Sequence, residues 1–216
     1  MIFKNRRQAG KLLAKKLGVF KNLPAGRQVK DVIVVGITRG GVVVAKETAA
    51  ILNLKLDLIV VKKIGALNNP ELAIGAVAPA KTVFWDKDLC TRLGVSEKEK
   101  INSLKIKNQE RLKLEKFLRK TNPALKLKNK IVILIDDGVA TGSTVLCAQK
   151  YFRKQKVSKI ILATPVIAKD TLRSVKKYFD DVIILEIPDN FYAIGQFYKD
   201  FTQVSDKEVI RILNKN

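Results

Sequence analysis

The chain has 216 residues, 47% of them hydrophobic, with 42 Lys plus Arg against 20 Asp plus Glu and a formal net charge of +22. That length and apolar content suit one sizeable α/β domain with an appendage and exclude a disordered polymer. With no His, a Cys/His zinc site and a His general base are both excluded, and two cysteines, Cys90 and Cys147, fit a reducing cytoplasm better than a disulfide framework.

Leu12, Leu13, Leu17 and Phe20 recur at helical spacing and predict an amphipathic helix over Asn5 to Phe20. The segment is charged from Lys4 onward and lacks a continuous apolar core, so it is not a secretory signal. No segment reaches the ~18 apolar residues of a membrane span. Asn22 to Arg27 reads as a loop, and Asp31 to Ile37 as a buried strand. Thr38-Arg39-Gly40-Gly41 breaks that strand before a helix over Val42 to Leu52. Its glycines allow close backbone approach, and its Arg can meet an anion. Leu56 to Lys62 is a second buried strand. Lys63 to Ala80 reads as irregular and rich in Gly, Asn and Pro, with one strand at Ala73 to Val77; Lys81 to Trp85 is a short strand. Residues 63–79 are open to reading as a surface hairpin, with Lys63 and Glu71 as their charged members and Lys62 just before them.

Ser96 and Glu99 have capping-box spacing ahead of a long polar helix, about Glu97 to Lys120, which Asn122-Pro123 ends. Ile131 to Ile135 is a run of five apolar residues closed by Asp136-Asp137. Gly138 to Thr144 follows as a Gly- and hydroxyl-rich loop, then a helix over Val145 to Lys154. A helix N-terminus offers free N–H groups and partial positive charge, which suits phosphate. Thr141, Ser143 and Thr144 add hydroxyls, and Gly142 permits close approach. Two carboxylates beside a phosphate cradle suit a sugar phosphate, because they accept hydrogen bonds from vicinal hydroxyls. No Lys precedes Ser143, which excludes a P-loop, and GxGxxG is absent. Ile160 to Thr164 and Val182 to Leu185 are two further strands with a helix at about Lys169 to Tyr178 between them. Asn190 to Asp206 is dense in aromatics, and Ser205 with Glu208 caps a last helix to Leu213. Strands alternating with helices predict a mostly parallel sheet covered on both faces.

The run IVILIDDGVATGST resembles the PRPP-binding motif of type I phosphoribosyltransferases, with Gly138 where an apolar residue is usual. TRGG at the end of the first strand resembles that family's pyrophosphate-binding loop, which often holds a non-proline cis peptide. Residues 63–79 lie where the family keeps its flexible catalytic loop. Tyr192, three before Gly195, resembles the aromatic residue that stacks on the base in hypoxanthine-type members, and Phe191 is its neighbour. In this order the segments resemble a bacterial group of phosphoribosyltransferases of unassigned substrate, relative to which Leu23 to Gln28 looks like an insertion.

The resemblance implies a single phosphoribosyltransferase-like domain over residues 1–216. Its core would span about 28–188, and its hood would form from the N-terminal helix and residues 189–216. It implies transfer from PRPP to a nitrogen acceptor with release of pyrophosphate and Mg²⁺ as cofactor. Asp136, Asp137 and Arg39 would be catalytic, with Asp136 and Asp137 holding metal through water. Val139, Ala140, Thr141, Gly142, Ser143 and Thr144 would bind the 5′-phosphate. Thr38, Arg39, Gly40, Gly41 and Lys63 would meet the pyrophosphate, and Phe191 and Tyr192 the base. Two departures disfavour a 6-oxopurine: Ala140 stands where those enzymes carry an Asp near the base, and Leu162-Ala163 precedes Thr164-Pro165 where they place a Lys. Open alternatives are a PRPP- or nucleotide-sensing regulator that binds nucleic acid, and a hydrolase or phosphorylase of phosphoribosylated compounds. Nucleic acid is disfavoured, since only 10 of the 42 basic residues are Arg and the Lys are spread along the chain. The partners expected are PRPP and a small acceptor, without a membrane; a homodimer stays open.

Overall fold

The structure, a computed structural model, describes residues 1–18, 31–67, 69–120 and 122–214. Phe20, the loop over 22–27 and the inserted Leu23 to Gln28 lie outside the described residues, as does the side chain of Glu71. Helix α1 (Arg6–Lys16) starts at Asn5, whose side chain accepts from the Gln8 N–H at 3.0 Å. Strand β1 (Val32–Ile37), α2 (Gly40–Leu52) and β2 (Lys55–Ile59) follow, then β3 (Lys62–Ala66), β4 (Asn69–Ala78) and β5 (Thr82–Trp85). Next come α3 (Lys87–Arg92), α4 (Glu97–Arg119), β6 (Ile131–Ile135), α5 (Ser143–Lys154) and β7 (Lys159–Val166). The chain continues through α6 (Lys169–Val175), β8 (Asp181–Glu186), a 3-10 turn (Ile194–Phe197) and α7 (Asp206–Leu213).

Five parallel strands form the main sheet in the order β2-β1-β6-β7-β8. Each central strand feeds both faces by simple alternation. Val32, Val34, Ile131, Ile133 and Ile135 pack beneath α1, α2 and α7, whereas Ile33, Val35, Val132 and Leu134 pack beneath α5. The chain leaves β1 toward β2 on one side, and β6 enters on the other. The loops after β1 and β6 therefore diverge at this switch point, where open α/β sheets bind ligands.

The capping box at Ser96 and Glu99 is present in both directions, with Ser96 N–H to Glu99 Oε2 at 2.7 Å and Glu99 N–H to Ser96 Oγ at 3.2 Å. Two expectations fail. The apolar run Leu56 to Lys62 is not one strand: β2 ends at Ile59, and Lys62 opens β3 in a separate antiparallel sheet, β3-β4-β5. A continuous apolar run carries no mark of a sheet change. Residues 63–80 are not irregular either. They form the β3-β4 hairpin, with Ile64, Ile74 and Val77 buried against Cys90 and with Trp85 and Leu104 packed on them. Ile74 and Val77 turn to that cluster, whereas Ala76 and Ala78 pack toward α5, where Cys147 Sγ meets Ala76 O at 3.1 Å. Burial pushes the Cys147 thiol up to about 12, so it is an inert core group. No helix among the described residues is long and apolar enough to cross a membrane.

The terminal segments pack on each other. Phe3 pairs with Tyr198 in an isolated parallel bridge, and Phe3, Ala9, Val166, Phe197 and Tyr198 share a small core.

Candidate active site

A cavity of about 280 Å³ opens at the switch point. Its walls are Thr38, Arg39 and Gly40 after β1, Asp136 to Gly138 after β6, and Ala140, Thr141, Gly142 and Thr144 entering α5; Lys63, Ile37, Val61 and Ile194 complete it.

The loop into α5 is held from outside. Val139 is buried; its N–H donates to Val166 O at 2.9 Å, and its carbonyl accepts from the Ala168 N–H at 3.1 Å. The Thr171 hydroxyl donates to Ala140 O. Gly142 caps α5 at φ +81, where an L side chain is strained, and a Cβ there would stand 2.8 Å from Val175 Cγ1. Among the described residues, none of the Ala140 to Thr144 N–H groups donates to a protein acceptor. They stay free for an anion at a helix N-terminus. Ser143 is buried and Val139 faces the core, so neither lines the cavity, whereas Thr141 and Thr144 do. Gly142→Ala should cost about 1–2 kcal/mol for the left-handed backbone, with phosphate affinity falling in step. A melting temperature and a phosphate titration both unchanged would remove the geometric role given to Gly142.

The two acids differ. Asp136 is half-buried, faces the cavity, and accepts from the Asp137 N–H at 3.0 Å. Burial, reinforced by the neighbouring Asp137 charge, raises its carboxyl well above the usual carboxylate range; the Asp137 N–H and Lys63 oppose the shift. Asp137 is buried, and its Oδ2 accepts from Arg6 Nε at 2.6 Å. Its carbonyl accepts from the Tyr198 hydroxyl at 2.5 Å. Burial, with Asp137 nearby, pushes the Tyr198 phenol far up, so it stays a neutral donor.

The peptide Thr38–Arg39 is cis. Arg39 lines the cavity, and its guanidinium pairs with Asp206 at the first turn of α7, Nε to Oδ1 at 2.6 Å. Gly41 is buried under the β6 loop and does not line the cavity. Lys63 reaches the cavity; Lys62 turns to α4, 3.9 Å from Glu110.

The structure does not bring Phe191 or Tyr192 to the cavity. Phe191 packs on Phe197 at 5.3 Å between centroids, and Tyr192 is 88% exposed. Gln196 Oε1 accepts from the Tyr192 and Ala193 N–H groups and turns the chain so that Ile194 is the hood residue at the cavity. Ile194 covers Gly138 so closely that a Cβ at 138 would stand 2.5 Å from Ile194 Cγ2. That contact explains Gly where an apolar residue is usual. Arg6, Tyr198, Ile194 and Asp206 were not legible as site neighbours, because each arrives from a distant segment without a local motif.

No group of three or more His, Cys, Asp or Glu among the described residues would cage a metal alone. Of the two acids that line the cavity, Asp137 is committed to Arg6 through Oδ2, and Asp136 suits a hard divalent cation that takes its other oxygens from ligand and water, as Mg²⁺ does.

The phosphoribosyl transferase domain model matches residues 10–202. A protein of Mycobacterium tuberculosis strain ATCC 25618 / H37Rv, provisionally named a phosphoribosyl transferase, is 34% identical over 216 residues, 99% of this chain and 47% of its own length. The chain thus spans about half the length of the curated relatives it matches. Among solved structures, TT1426 from Thermus thermophilus superposes with a TM-score of 0.81 at 32% identity, covering 100% of this chain and 99% of that one. A hypoxanthine-guanine phosphoribosyltransferase from Bacillus anthracis has a TM-score of 0.50 at 12% identity, over 88% of this chain and 83% of that one, a likeness of fold.

Proposed function

From the premise that the chain belongs to the phosphoribosyl transferase domain family and has its type I fold, we propose that it transfers a phosphoribosyl group from PRPP to a nitrogen acceptor and releases pyrophosphate. The observation that carries this reading is the juxtaposition at one switch point of free loop N–H groups, a cavity-facing carboxylate and the loop after β1 bearing Arg39.

The Ala140 to Thr144 N–H groups, with the Thr141 and Thr144 hydroxyls, hold the 5′-phosphate. Asp136 accepts hydrogen bonds from the ribose hydroxyls. Thr38, Arg39, Gly40 and Lys63 receive the pyrophosphate, whose negative charge grows as its bond to the anomeric carbon breaks. The acceptor nitrogen lone pair forms the new bond to that carbon. Asp136 would hold Mg²⁺ through water, and the ion would neutralise the leaving pyrophosphate. Most of the rate enhancement then comes from positioning and fixed electrostatics.

On the acceptor side, Ile194, Gly138 and Ala140 offer no carboxylate and no lysine. This favours a nucleobase or amine whose nitrogen attacks without an adjacent protein base, and disfavours a 6-oxopurine. The test is a PRPP-dependent pyrophosphate-release screen over nucleobases and small amines with Mg²⁺, beside calorimetry with PRPP. Saturable PRPP binding and release with at least one acceptor are expected. No PRPP binding at any Mg²⁺ concentration would sink the reading.

A further inference from the structure

We propose that Arg6 is a positioning residue of the phosphoribosyl site, holding Asp137 fixed between the two site loops and so setting the ribose side of the cavity from the N-terminal helix. The inference rests on the function proposed above and deepens it.

Arg6 is the first residue of α1, yet its guanidinium reaches the loop after β6, 131 residues away. Nε donates to Asp137 Oδ2 at 2.6 Å, and Nη1 donates to Thr202 O at 2.8 Å. The guanidinium carbon lies 3.8 Å from the centre of the Phe201 ring. The side chains of Arg6 and Asp137 are 11% and 12% exposed. The fork is therefore set by three kinds of partner at once: a carboxylate, a carbonyl and an aromatic face. Tyr198 anchors the Asp137 carbonyl from the same side. Both terminal segments thus converge on one acid of the pair.

The loop after β1 is shaped to leave room for this contact. A Cβ at position 40 would overlap Asp137 Oδ2 and stand 2.7 Å from Arg6 Nε. Gly40 is required by the ion pair as well as by any ligand. The Arg6–Asp137 pair consequently touches both loops that line the cavity. One oxygen of Asp137 is committed to Arg6, while Asp136 faces the cavity beside it. An unpaired Asp137 would lose the bearing that the two loops share.

The experiment measures PRPP with Mg²⁺, and inorganic phosphate separately, by calorimetry on the parent, Arg6→Gln, Arg6→Lys and Arg6→Gln/Asp137→Asn. Inorganic phosphate lacks the ribose and probes only the anion-binding loops of the cavity. Arg6→Gln is expected to weaken PRPP by at least about tenfold while phosphate affinity stays within about twofold. Arg6→Lys, which keeps the charge, should recover most of the loss. The double variant should bind PRPP no more weakly than Arg6→Gln, because the partners act through one contact. If Arg6→Gln does not fold, Arg6→Met, which keeps the apolar stem of the side chain without its charge or its donors, should show the same split between PRPP and phosphate. Parent-like PRPP binding in Arg6→Gln, or an equal loss for PRPP and phosphate, overturns the positioning role. A parent protein that does not bind PRPP defeats instead the function on which the inference rests.

Discussion

Asp136→Asn is expected to weaken PRPP binding by roughly 10- to 100-fold, the scale of one charge-assisted hydrogen bond, and at the same time to stabilise the unliganded protein above acid pH. The carboxylate faces the cavity, where burial and Asp137 hold its pKa well above the usual range. A folded-state pKa raised above the unfolded one means that the folded state retains a proton the unfolded chain has released. Stability from this group is therefore lost as pH rises through that window, and the penalty is complete above the raised value. Asn carries no charge and escapes it. The gain in melting temperature should thus be absent below the usual carboxylate range and grow with pH. Melting curves of parent and variant, taken from the usual carboxylate range upward, read that growth directly. A variant that is less stable than the parent at every pH would show that Asp136 serves the fold, and would withdraw it from the site.

The site's main line was legible because it is local. Five apolar residues, two acids and a hydroxyl-rich loop lie in one stretch, and each signal falls on a neighbouring position: strand, strand end, helix N-terminus. The capping box at Ser96 and Glu99 was legible for the same reason. What the sequence hid is relational. Val60 and Val61 join β2 to β3 through buried backbone, and nothing in an apolar run marks where one sheet ends. The α3 helix is six residues long, too short for periodicity to reveal. Tyr192 has the spacing of a stacking residue, yet the Gln196 side chain turns its segment so that Ile194 faces inward. Arg6 reads as one more cation in a chain of +22 until the fold places Asp137 against it.

Asp57→Ala should destabilise the protein by about 3–5 kcal/mol, the cost of leaving a buried partner charge uncompensated, without changing its affinity for PRPP. Asp57 is 5% exposed in β2, the edge strand of the main sheet. Its Oδ1 accepts from Arg119 Nη1 at 2.9 Å, and its Oδ2 from the Leu125 N–H at 2.9 Å. Arg119, the last residue of α4, also donates to Leu58 O at 2.7 Å. One carboxylate thus ties the end of a 23-residue helix and the return segment to the sheet. Arg119 Nε already lacks a hydrogen-bond partner, although Glu115 Oε1 lies 3.6 Å away, so little remains to compensate the guanidinium once Asp57 is gone. Both residues line an open cavity of about 510 Å³, through which water can reach the orphaned charge. The loss should therefore fall near the lower end of the range. At roughly 2–4 °C per kcal/mol for a domain of this size, the melting temperature should drop visibly. Asp57→Leu combined with Arg119→Met should recover much of it, since removing both charges removes the desolvation cost. None of these residues lines the Asp136 cavity, so PRPP calorimetry well below the melting point should match the parent. A matched melting temperature would show that the ion pair adds nothing to stability. A weakened PRPP isotherm would show that α4 is coupled to the site.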